Sequence, residues 1–296
     1  MRWLKRLAIV ALLGAIIFLV DRRSRVHPTR QAEWLRAGDV EVRAVRAGTG
    51  DTTLLFLHGY MESLVAWRPL FEHFAPRYRV IAIDAPGSGL SDKPVGPYTF
   101  SAQVARLSDL LDRWTTGPVI VVGHSMGGEL AAGLAIDRPD RVVAAVLISP
   151  AGWGLADRLD SLQPGTVAMV GWAAAAAAMI LPIHDPAWLA EPSGKASYDP
   201  LRDPSYRAAA TAVMREFDFA ALADSTARLR QPVLLIWGRE DPTIPFAIGS
   251  RLAAALPCVN FEPLSSTLHR PHETDPDTVI ALMEGFLARP KCGPAR

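Results

Sequence analysis

Ser125 stands in the run Gly123-His124-Ser125-Met126-Gly127, directly after the apolar stretch 119–122 and ahead of a helical pattern that begins at Glu129. Small residues two before and two after a serine, at a strand-to-helix turn, hold a hydroxyl above a sheet as a nucleophile. A free serine hydroxyl reacts poorly, so it needs a positioned base and a third group that orients the base. The carboxyl half supplies both residue types. After the apolar run 233–237 come Gly238-Arg239-Glu240-Asp241-Pro242-Thr243-Ile244-Pro245, which place acids at the carboxyl end of a strand, where open α/β sheets build their sites. Asp241 is the expected orienting carboxylate, with Glu240 and Asp224 as rivals. Further on, Leu268-His269-Arg270-Pro271-His272-Glu273 precedes the last helix, and either His269 or His272 must be the base.

Attack on an acyl carbon creates an oxyanion, which needs preorganised donors. Two backbone amides serve: Met126, at a helix start whose dipole favours negative charge, and Tyr60, after His58 and Gly59 at the end of a strand. His58 and His124 read as imidazoles that hold loops, and Asp84 as a turn builder. A serine nucleophile excludes the epoxide and halide chemistry that requires a carboxylate at this turn. No dinucleotide fingerprint, phosphate loop or H-E-x-x-H spacing occurs, so neither a cofactor nor a metal is expected.

These residues need a scaffold that brings distant segments to one rim. Short Val-, Ile- and Leu-rich runs at 54–57, 80–83, 119–122, 142–148 and 233–237 alternate with helical segments at 64–74, 101–114, 127–137, 246–256 and 276–288. Residues 40–45 alternate in the manner of an antiparallel edge, and 259–262 can form a last strand. The pattern predicts an α/β fold with a mostly parallel central sheet covered by helices on both faces. It breaks between Gly152 and Leu229, so residues 152–229 are expected to form an inserted helical cap between core segments 40–151 and 230–290. The alanine-rich stretch 166–181 is expected to lie over an apolar cleft or to pack on the sheet, and Trp153, Met169, Trp172 and Trp188 to line a cavity or the core.

The chain resembles the α/β-hydrolase fold family of esterases, lipases, C-C bond hydrolases and cofactor-free haloperoxidases. The likeness runs from about Val40 to Leu287 and rests on GHSMGG, on Leu57-His58-Gly59-Tyr60, on Asp84-Ala85-Pro86-Gly87-Ser88-Gly89-Leu90-Ser91, on WGREDPTIP and on HRPHETDP. The resemblance implies a Ser125-His269-Asp241 triad in the chain order that this fold uses, with His269 as the base. Leu268 stands where the family usually has glycine. What is implied is a cofactor-independent serine hydrolase acting on a hydrophobic ester or acyl substrate. A C-C bond hydrolase and a haloperoxidase-like perhydrolase would use the same triad, and a noncatalytic binding protein is the reading from another class.

Among 296 residues, 31 Lys plus Arg balance 30 Asp plus Glu for a net charge of +1, which gives no global field to hold nucleic acid. At 50% hydrophobic and 21% charged, the composition fits neither a disordered chain nor a multi-span transporter. Two cysteines cannot make a disulfide framework. Residues 7–20 carry no charge and are flanked by Arg2, Lys5, Arg6, Arg22 and Arg23. With Trp3 and Leu4 they approach the ~17–25 residues that cross a bilayer, and no small-residue cleavage pattern follows. A single-pass anchor over 1–24, a polar linker over 25–39 and an extracytoplasmic body are expected.

Overall fold

The computed structural model describes residues 30–153, 189–190, 203–265 and 267–292. The chain divides into two compact units, Met1–Ala32 with His184–Ser197, and Glu33–Ile183 with Tyr198–Arg296. In the first unit, β1 (Arg30–Gln31) pairs in parallel with β8 (Leu189–Ala190).

The second unit is built on an eight-stranded sheet. Its strands are β2 (Glu33–Ala37), β3 (Val40–Ala47), β4 (Thr53–Leu57), β5 (Arg79–Ile83), β6 (Val119–His124), β7 (Val142–Ile148), β9 (Val233–Gly238) and β10 (Val259–Leu264). The order is β10-β9-β7-β6-β4-β5-β3-β2. Pairing is parallel from β10 to β5 and antiparallel at the β3 contacts. The central strands β4, β6 and β9 are buried along their whole length, as their unbroken apolar sequences require of strands covered on both faces. Flanking helices are α1 (Arg68–Phe74), α2 (Phe100–Trp114), α3 (Met126–Asp137), α4 (Pro204–Glu216), α5 (Phe246–Ala255), α6 (Pro271–Thr274) and α7 (Pro276–Ala288). Helix α2 illustrates why they form: Val104, Leu107, Leu110 and Leu111 recur on one face and are buried, while the Thr99 hydroxyl accepts the Ala102 amide at its start.

Strand β4 determines where a site can lie. From β4 the chain moves to β5 on one side, then crosses back to β6 on the other, so the strand order reverses at β4. Such a reversal opens a crevice at the carboxyl ends of the strands. The segments that follow β4 and β6 carry His58-Gly59-Tyr60 and Ser125.

Three differences from the sequence reading have physical reasons. Residues 33–37, expected within a linker, form an edge strand whose Leu35 and Ala37 are buried against the core and whose register places Trp34 opposite Arg43. Residues 64–74 split into a short 3-10 turn, Leu64–Trp67, and α1, because Pro69 lacks the amide that a continuous helix would use. The two cysteines form one disulfide, Cys258–Cys292. The expected anchor at 7–20 lies outside the described residues, as do the stretch 166–181 of the expected cap and Met169, Trp172 and Trp188. Among the described residues no helix is long and apolar enough to cross a membrane.

Candidate active site

Ser125 joins the end of β6 to the first turn of α3 with φ 52° and ψ −119°, a conformation that costs a residue with a Cβ about 1–3 kcal/mol. Its neighbours hold it there. The Ser125 amide donates to Ile148 O at 3.0 Å, and the Ser125 carbonyl accepts the amides of Gly128, Glu129 and Ala151 at 3.0, 3.1 and 2.9 Å. The turn is so tight that a Cβ on Gly123 would lie 2.1 Å from Gly127 O, and one on Gly127 would lie 2.1 Å from Leu57 O. The glycine spacing thus reflects the approach of one backbone to another.

Asp241 follows β9. Its Oδ1 accepts the amides of Thr243 and Ile244 at 2.8 and 2.9 Å, which leaves Oδ2 to accept from His269 Nδ1 at 2.7 Å. Burial would raise this carboxyl, but the hydrogen bond and charge of His269 and the two amides outweigh it and hold Asp241 below the usual carboxylate value. Burial pushes His269 below its ordinary value, with the His124 ring adding to that direction and Asp241 opposing it. With Nδ1–H committed to Asp241, the free nitrogen of a neutral His269 is the proton acceptor Nε2. The loop that carries His269 lies directly on the end of β9, where a Cβ on Gly238 would meet the carbonyls of Thr267 and Leu268 at 2.3 Å. Leu268 is accommodated without a left-handed backbone, and it is half exposed.

The structure brings Asp241 and His269 together and separates the rivals from them. Glu240 and Asp224 are exposed, and His272 is fully buried, its ring packed at a tilt against Trp67 and His124 with ring centroids 4.5 Å apart in each case. Burial, together with the neighbouring His124 ring, holds His272 well below its ordinary value. Both of its ring nitrogens lack a hydrogen-bond partner among the described residues, and Nε2 lies 3.6 Å from Glu273 Oε1. Among those residues the Ser125 hydroxyl makes no hydrogen bond, and bonds of this kind commonly tighten only when substrate binds.

Met126 is the first residue of α3, and its amide has no carbonyl within the helix to meet. The Tyr60 amide lies within the turn in which Glu62 N donates to Gly59 O at 3.2 Å. His58 has both ring nitrogens engaged, Nδ1 with Gly59 O at 2.7 Å and Nε2 accepting the Ala85 amide at 2.9 Å, so it fastens the oxyanion loop to the β5 loop. Asp84 accepts from Arg43 Nε at 2.7 Å and from the Leu64 and Leu90 amides at 2.8 and 2.9 Å, the contacts of a turn builder. Trp153 is partly buried against the core and donates from Nε1 to Thr226 Oγ1 at 2.6 Å.

Sequence reasoning missed Glu62, because its partners come from segments distant in the chain. Its carboxylate accepts the Gly59 amide at 2.8 Å and lies 3.0 Å from His124 Nδ1, while His124 Nε2 meets His269 O at 2.8 Å. Among the described residues, Glu62, His124 and His272 are a group able to converge on a cation, with ligand atoms within 4.8 Å. Against that use, both His124 nitrogens are already engaged, and Arg270 Nε stands 3.2 Å from Glu62 Oε1. The donor set fits a hydrogen-bonded support better than a metal centre.

A family profile described as alpha/beta hydrolase fold matches residues 52–169. The chain is 38% identical over 115 residues to the dihydrolipoyllysine-residue acetyltransferase component of the acetoin cleaving system of Cupriavidus necator, a match that covers 39% of this chain and 31% of that one. It is 26% identical over 248 residues to the uncharacterized hydrolase YugF of Bacillus subtilis, covering 80% of this chain and 90% of the relative. Among solved structures, the meta-cleavage product hydrolase of Pseudomonas fluorescens superposes with a TM-score of 0.68 at 22% identity, covering 86% of this chain and 97% of that one. At that identity the superposition speaks for the fold alone.

Proposed function

We propose that the chain, which a profile of the alpha/beta hydrolase fold matches over residues 52–169, is a serine hydrolase of hydrophobic carboxylic esters. The observation that carries the proposal is the bond of 2.7 Å between Asp241 and His269 together with the strained turn at Ser125. His269 Nε2 takes the Ser125 proton as Oγ attacks the acyl carbon, and the amides of Tyr60 and Met126 receive the resulting oxyanion. His269 then gives that proton to the departing alcohol. It next activates a water that releases the acid and restores Ser125. Asp241 keeps the imidazole in one tautomer and stabilises its protonated form.

Half-exposed Leu268, which precedes the base in sequence, supports an apolar acyl or alcohol group, as do the anchor and cap read from the sequence. The Cys258–Cys292 disulfide supports an extracytoplasmic body, since such bonds persist in oxidising compartments. Assay of p-nitrophenyl esters of increasing chain length tests the reading. Turnover is expected in the wild type, favouring longer chains and absent from Ser125→Ala. Failure to hydrolyse any ester, with the variant indistinguishable from wild type, would overturn it.

A further inference from the structure

The parts of the proposed site come from segments distant in sequence, and one buried pair links them. Glu62 Oε2 accepts the Gly59 amide at 2.8 Å, immediately before Tyr60, and meets His124 Nδ1 at 3.0 Å, immediately before Ser125. His124 Nε2 reaches the His269 carbonyl at 2.8 Å. Carboxylate and carbonyl oxygens only accept, so the His124 ring is the donor where it bonds them. The side chain of His124 is 1% exposed and that of Glu62 10%. In a site so enclosed, the bonds are shielded from water that would otherwise compete for them.

We propose that Glu62 and His124 are positioning residues for hydrolysis at Ser125, a clamp that fixes the oxyanion loop, the nucleophile turn and the base loop at one mutual spacing. This inference rests on the serine-hydrolase reading and adds two residues to it. Neither side chain needs to touch substrate. Glu62 sets the direction of the turn that presents the Tyr60 amide, and His124 sets the position of the His269 backbone while its own backbone leads into Ser125. A displacement of about 1 Å in such a constellation costs on the order of 100-fold in rate.

The His124 ring also faces His269 at a centroid distance of 4.7 Å. The titratable and charged groups around that base are Asp241 after β9, Glu62 after β4, His124 at the end of β6, and Arg270 and His272 on its own loop. Removal of a donor-laden ring leaves Glu62 and Asp241 to favour protonated His269 with less opposition.

Two variants test the clamp, with rates normalised to the sites that a fluorophosphonate probe finally labels. Glu62→Gln keeps the shape and removes the charge; His124→Phe keeps the packed ring and removes both bonds. Each is expected to lower kcat roughly 10- to 100-fold, with KM within about threefold of wild type. His124→Phe is also expected to move the acid limb of kcat/KM to higher pH, which a mere prop would not do. Wild-type kcat in either folded variant, or a loss confined to KM, overturns the proposal. If one variant does not fold, the other decides. If neither folds, the pair maintains the fold rather than the spacing of the site, and the proposal falls. Ser125→Ala separates the premises: activity that survives it defeats the serine-hydrolase reading itself, whereas an inactive Ser125→Ala beside fully active clamp variants defeats only the clamp.

Discussion

Replacing Asp241 with asparagine leaves the shape of the site and removes the charge that fixes the His269 tautomer. The expected result for Asp241→Asn is a fall in kcat of about 10³–10⁴ with an unchanged Tm, measured by steady-state ester hydrolysis beside a thermal melt. A second consequence follows from the direction in which burial moves His269. In the proposed mechanism His269 must be neutral to accept the Ser125 proton, so activity is expected to disappear as pH falls through its pKa. Because that value lies below the ordinary 6.5, the acid limb of kcat/KM should have its midpoint under 6.5, and a midpoint at or above it would contradict the assigned surroundings. The turn at Ser125 and the meeting of Asp241 with His269 were legible because each residue follows a recognisable strand and has a type that the proposed chemistry requires. Glu62 was not, since its importance comes from the approach of three loops that no local spacing encodes.

Elements were legible wherever apolar period and length agreed. The buried runs that became β4, β5, β6, β7 and β9 were expected within a few residues of their observed ends, as were α2, α3, α5 and α7. Strand β2 escaped because Glu33 and Arg36 give it the look of a polar linker, and its place is secured by pairing with β3. The turn between β6 and α3 permits a sharper prediction. A methyl on Gly127 would collide with the carbonyls of Leu57 and His58, at 2.1 and 2.4 Å, and neither backbone can yield without moving β4 or the oxyanion loop. Gly127→Ala should therefore cost about 1–3 kcal/mol in denaturant unfolding and should abolish probe labelling in whatever protein remains folded. Normal stability and labelling would show that the two segments have room to separate.

For the molecule as a whole, the single disulfide was beyond sequence reasoning, because two cysteines state only that one bond is available and not that their backbones meet. Cys258 precedes β10 and Cys292 follows α7, with Cα atoms 4.6 Å apart and a sequence separation of 34. Asn260 Nδ2 donates to Lys291 O at 2.7 Å and fastens the same tail. Closing a loop of this length stabilises by about 3–4 kcal/mol, so Cys292→Ser should lower Tm by roughly 5–15 °C under non-reducing conditions. An unchanged Tm would contradict the linkage. The central claim for the whole molecule is that its folded surfaces make Ser125 reactive through His269, and covalent capture by a fluorophosphonate probe, read by intact-protein mass, tests it most directly. The account predicts one adduct on Ser125 of the wild type, none on Ser125→Ala and a strongly slowed reaction on His269→Ala. A folded wild type that remains unlabelled, or labelling that survives Ser125→Ala, would contradict it.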